Sequence, residues 1–197
     1  MKTWSIAPLF VQPIASTEIE EELSTQLKTI SEDAFWFAGD GNAYITSKDM
    51  QILDKHKDLR SAFKEITEDL ITQLGYDCEI QITTSWIHKL PPGDQIYPKT
   101  IYNSWYTGVV FFDEYTEESG DIEFFVDPQG VYVVPAEWSQ WTAPSIRLTP
   151  NSNYMMMFPS YVRHRVYTNT SDTDRLCLMY NVMPKGQTGS NESTFVY

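Results

Sequence analysis

Residues 153–183 read NYMMMFPSYVRHRVYTNTSDTDRLCLMYNVM, and their rhythm decides the fold. The runs 153–158, 161–168 and 174–183 are each the length of a strand and short for a helix. Pro150-Asn151 before the first and Thr170-Ser171-Asp172 before the third supply turn chemistry. With no helical segment between them, these strands belong to antiparallel sheets.

The same texture extends back to Cys78. Further strands are expected at 79–90 (EIQITTSWIHKL), 95–102, 105–112 (WYTGVVFF), 121–126, 130–135 and 145–149, divided by signals such as Pro91-Pro92-Gly93-Asp94 and Asp127-Pro128-Gln129-Gly130. Many short strands in succession predict a sandwich or jelly roll, with helices packed outside it. The helices come first. Thr17 with Glu20 has the spacing of a capping box, and Ile19, Leu23, Leu27 and Ile30 follow at helical intervals. A second helical region spans about 47–74, with Leu59, Phe63, Ile66, Leu70 and Leu74 as its stripe and Gly75 as its stop. The expected class is mainly β with N-terminal helices. One domain covers 1–183, with a helical layer at about 17–74 and a β core at about 78–183, and 184–197 form a polar tail.

The chain has 197 residues, enough for one domain with a true core. Its 27 acidic against 14 basic residues give a net charge of −13, which repels phosphate backbones and argues against nucleic acid. No apolar run reaches membrane-spanning length, and the opening MKTWSIAPLFVQP does not read as a signal peptide. Cys78 and Cys177 form no motif and read as buried thiols in a reducing compartment.

Three histidines bound the available metal and base chemistry: His56, His88 and His164. His56-Lys57-Asp58 matches a His-x-Asp ligand pattern but falls in the helical stretch, where residues two apart project about 200° from each other. His88 follows Trp86 in a strand with no carboxylate two positions away, and reads as structural or as surface. His164 stands in FPSYVRHRVYTNTSDTDRLCLMYN, with Arg175 eleven residues on.

On PLFVQPI, SWIHKLPPGDQIYPKTIYNSWYTGVVFF, IEFFVDP and the Phe158-Pro159-Ser160…His164…Asn169…Arg175…Asn181 run, the chain resembles the 2-oxoglutarate/Fe(II) oxygenases of phages and bacteria. That is the prolyl-hydroxylase-like branch of the double-stranded β-helix, a jelly-roll or cupin-like fold. The resemblance implies two iron ligands spaced two apart on one strand, a third on a later strand, and a basic residue that grips 2-oxoglutarate. His164 takes the third ligand position and Arg175 the cosubstrate anchor, whereas the first two ligand positions fall on Lys99 and Ile101. A protonated lysine and an isoleucine have no lone pair to give.

The expectation is therefore an oxygenase fold that has lost iron and catalysis and serves as a binding or structural module, with no cofactor. The resemblance suggests a phage particle or its assembly, hence a virion or the cytoplasm of a bacterial host. The alternative is an active 2-oxoglutarate-dependent Fe(II) hydroxylase with an atypical site on His164. Lys99, His164 and Arg175 together would form an anion pocket, or the pocket is filled and Lys99 reaches its rim. Arg175, in an apolar strand, should have a hydrogen-bonding partner. Trp138 and Trp141, in the 135–145 loop, are candidate contacts for a protein partner or for self-assembly.

Overall fold

A computed structural model describes residues 7, 11–38, 44–45, 50–126, 133–139 and 141–196. Of the expected strand at 130–135, residues 130–132 lie outside the described residues and 133–135 are not in a strand. Among the described residues thirteen strands are present: β1 Ala15–Glu18, β2 Phe37–Ala38, β3 Tyr44–Ile45, β4 Glu79–Leu90, β5 Ile96–Lys99, β6 Tyr106–Phe111, β7 Ile122–Phe125, β8 Ser145–Leu148, β9 Tyr154–Pro159, β10 Arg163–Val166, β11 Arg175–Lys185, β12 Gln187–Thr188 and β13 Phe195–Val196. The helices are α1 Glu21–Glu32, α2 Ile52–Lys55 and α3 Lys57–Gln73.

Seven strands form one sheet in the order β1-β9-β6-β11-β4-β3-β2, and four form a second in the order β5-β10-β7-β8. Every pair within the two sheets is antiparallel. The inner faces meet in one apolar cluster that takes Val109, Phe111, Phe158 and Met179 from the large sheet and Ile96, Ile122, Phe124 and Val166 from the small one. That is a β-sandwich contact. The other face of the large sheet carries the helices, through Leu27, Leu53, Phe63 and Ile71 against Ile80, Val110, Leu178 and Tyr180.

The middle of the large sheet shows how local sequence serves this packing. Adding a Cβ to Gly108 of β6 would put it 2.5 Å from Cζ of Tyr180, so glycine is the residue that lets that ring lie across the strand. The fully buried Tyr180 hydroxyl meets Thr67 Oγ1 at 2.9 Å, and Thr67 also donates to the Phe63 carbonyl at 2.7 Å. The buried stripe of α3 is accordingly Leu59, Phe63, Thr67 and Ile71, with Ile66, Leu70 and Leu74 only half-buried.

Several boundaries differ from the expectation. Thr17 caps no helix: it lies in β1 opposite Met155, and α1 starts after Glu20, which makes no side-chain cap. The capping-box spacing was outweighed by pairing to β9, a partner far away in sequence. The second helical region is broken at His56 (φ −128°, ψ 76°), between α2 and α3, so His56 is a junction residue and not a helical one. Gly75 does end α3, at φ +88°, where a side chain would be strained. The last long strand, β11, runs to Lys185, two residues beyond the expected boundary, and β12 pairs with β13 in a small hairpin within the tail.

Candidate functional site

The centre of the sandwich holds a cavity of about 30 Å³, lined by His88, Lys99, His164, Arg175, Cys177 and Met179, with aliphatic and aromatic walls that include Ile96, Val109 and Phe158. Strand register places these side chains. His164 of β10 lies opposite Lys99 of β5, and Cys177 of β11 lies opposite His88 of β4. Opposed residues in an antiparallel pair share a face, and the period of two along β11 keeps Arg175, Cys177 and Met179 on the inner one. Lys99 and His164 are thus directly paired inner residues, as the resemblance requires. Ile101 is different. The strand ends at Lys99, and Ile101 lies beyond it, packed against the inner core with its amide donating to the Ser160 carbonyl at 3.0 Å.

His164 is 4% exposed. Its Nδ1 faces the Val162 carbonyl at 3.0 Å and must donate to it, which leaves the lone pair on Nε2. Burial, with the charge of Lys99, pushes its pKa down to about 4. His88 was not expected here. Buried and facing Lys99 and Arg175, it is pushed down to about 3. Both imidazoles are neutral at pH 7. Burial raises the Cys177 thiol above its ordinary value. The alternation Trp86-His88-Leu90 could have placed His88 on the inner face; its company there, however, comes from β5 and β11, which no local pattern announces.

Arg175 departs from the expectation of a hydrogen-bonded partner. It is 5% exposed, yet its Nε and Nη2 are buried with no hydrogen bond among the described residues. The guanidinium lies over the rings of Tyr115, 5.4 Å away, and Phe111, 5.8 Å away. The Tyr115 hydroxyl donates to the Leu176 carbonyl, and although its oxygen keeps lone pairs, Arg175 Nε and Nη2 do not reach them. Aromatic faces offset part of the desolvation of a cation but do not accept its directed hydrogen bonds.

The other polar residues of the 158–181 run hold structure. Asn169 donates from Nδ2 to the Leu90 and Thr173 carbonyls at 3.0 and 2.8 Å, and its backbone exchanges bonds with Gly93 and Asp94 across the neighbouring turn. Asn181 joins a buried chain with Thr84, Thr107 and Ser160, each contact at 2.8 Å. Trp138 and Trp141 stand 58% and 49% exposed, away from the cavity lining.

The donors do not fit Fe(II). Two neutral imidazoles and a raised thiol line the cavity, but among the described residues no three His, Cys, Asp or Glu side chains converge to hold an ion. Among the described residues no carboxylate lines the cavity, and a lysine side chain stands where a ligand should. A hard divalent ion in such a site wants oxygen or nitrogen lone pairs and negative charge.

Residues 84–181 match the model of a family described as "Putative 2OG-Fe(II) oxygenase". Solved structures share the fold. The non-heme alpha-ketoglutarate-dependent epimerase SnoN from nogalamycin biosynthesis is 12% identical, with a TM-score of 0.65 over 87% of this chain and 76% of that one. A prolyl-4-hydroxylase of Pseudomonas putida is 13% identical, with a TM-score of 0.58 over 87% and 92%. HygX from Streptomyces hygroscopicus, solved with nickel and 2-oxoglutarate bound, is 7% identical, with a TM-score of 0.63 over 88% and 83%. No curated protein matches the chain.

Proposed function

Because residues 84–181 carry the sequence pattern of the 2OG-Fe(II) oxygenases on that family's fold, we propose that the chain is a binding module in which carboxylate recognition has replaced iron chemistry. The observation that carries this reading is the state of Arg175: a buried guanidinium with Nε and Nη2 unpaired, on a cavity that contains Lys99 and, among the described residues, no acid. A buried cation without hydrogen-bond acceptors is costly, and an entering carboxylate would relieve that cost with charge-assisted bonds. The cavity has room for about one water. The ligand is therefore a single carboxylate group reaching in, or the sandwich opens to admit a larger one. A place in a phage particle or its assembly belongs to this reading as the setting of a non-catalytic module, with the exposed Trp138 and Trp141 as its outward contacts.

The test is thermal unfolding of metal-free protein with millimolar acetate, succinate or 2-oxoglutarate, for the natural chain and for Arg175→Met. A rise in Tm with at least one of them, abolished in the variant, is expected. If none raises Tm, or if the variant responds equally, the reading fails.

A second reading, an active iron hydroxylase, is favoured by the two imidazoles on the cavity and the lone pair left on His164 Nε2. It requires a third donor to arrive from outside the cavity lining.

A further inference from the structure

Away from the sandwich interior, a groove of about 620 Å³ runs between β1 and α3, on the face of the large sheet that carries the helices. Its base is apolar: Met155 and Met157 of β9, Leu23 of α1, and Ile66 and Leu70 of α3. Met155 and Met157 are themselves buried, whereas Leu23, Ile66 and Leu70 pack only in part against the core and keep an apolar edge toward the groove. The rim is acidic. Glu18 and Glu20 line one side, Glu65 and Asp69 the other, all four are exposed, and none of them forms a salt bridge. Among the described residues no lysine or arginine lines the groove.

We propose that this groove is the docking site for a cationic amphipathic helix of a partner protein. The apolar face of the ligand would lie on the half-buried Leu23, Ile66 and Leu70, and its lysines or arginines would meet the two acidic rims. The groove follows α3 from Ala62 to Gln73, about 16 Å at the helical rise, which suits three turns of a packed helix. Charge selects the occupant. A second copy of this chain would bring acidic surface to an acidic rim, because α1 and α3 each carry more acidic than basic residues and the whole chain has a net charge of −13. The proposal does not depend on the fate of the iron site.

The experiment uses two synthetic fluorescent helical peptides with the same leucine face, one with lysines and one with glutamates on the polar face. Fluorescence anisotropy is measured against the full chain, against Glu65→Lys/Asp69→Lys, and against Glu114→Lys/Glu192→Lys, which makes the same change in net charge at exposed positions outside the groove. The lysine peptide should bind the natural chain and the distant variant alike, and the rim variant about tenfold more weakly. The glutamate peptide should bind none of them. Equal weakening by both variants would reduce the effect to overall charge and overturn the proposal, and so would binding of the glutamate peptide or failure of the lysine peptide to bind. Sedimentation of the chain alone should show a monomer. A dimer dispersed by Glu65→Lys/Asp69→Lys would assign the groove to a second copy and likewise refute the partner helix.

Discussion

The two faces of β11 contrast sharply. On the helix side, Leu178, Tyr180 and Val182 are fully buried in apolar contact, and the one polar atom among these side chains, the Tyr180 hydroxyl, is satisfied by Thr67. On the sandwich side, Arg175 and Cys177 are almost as buried, yet the arginine leaves two nitrogens unpaired and its neighbour His88 is held neutral by burial and positive charge. One strand thus serves a finished core on one face and an unfinished polar site on the other. A core assembled for stability alone would not retain the second face.

Mutations should read this difference. Tyr180→Ala, on the finished face, removes a ring packed at 5.8 Å against Phe63 and should cost about 3–5 kcal/mol in urea unfolding. A loss under 1 kcal/mol would show that this face is loosely packed. Acid probes the other face. His88 and His164 have folded pKa values lowered to about 3 and about 4, so the unfolded chain binds their protons first. Their contribution is fully present above about pH 6.5 and is lost as pH falls toward 4, with about 2 kcal/mol per imidazole gone by pH 5. His88→Gln should flatten part of that decline, and an unchanged pH profile in the variant would contradict the buried neutral imidazole.

Gly108→Ala should cost about 1–3 kcal/mol by forcing Tyr180 off its present path, read as a lower urea midpoint. The smallest expected effect is the most discriminating. Arg175→Met in the absence of carboxylates should leave stability within about 1 kcal/mol of the natural chain or raise it, since it removes an unsatisfied cation from an apolar setting. A large fall in Tm would make Arg175 a structural residue.

How much of this was legible in the sequence followed the range of the interaction. The run at 79–90 is β4 to the residue, because its composition and the Pro91-Pro92-Gly93 turn are local signals. The direct pairing of Lys99 with His164 agrees with what the resemblance implied. The four-residue motif at Thr17 carries no knowledge of β9, and the charged neighbours of His88 at the cavity, Lys99 and Arg175, are more than ten positions away along the chain. The unpaired state of Arg175 was invisible for a related reason. A tyrosine and a phenylalanine occupy its surroundings, and no spacing rule says that they meet the guanidinium with ring faces and not with hydrogen-bond acceptors.

The central proposal is that a cavity with Lys99 and, among the described residues, no carboxylate does not support iron chemistry. The direct measurement is an anaerobic titration of the metal-free chain with Fe(II) in the presence of 2-oxoglutarate, following the visible metal-to-ligand charge-transfer band and bound iron after gel filtration. No band and no retained iron are predicted, with His164→Ala indistinguishable from the natural chain. One equivalent of iron with a charge-transfer band, both lost in His164→Ala, would contradict the account and restore the enzyme.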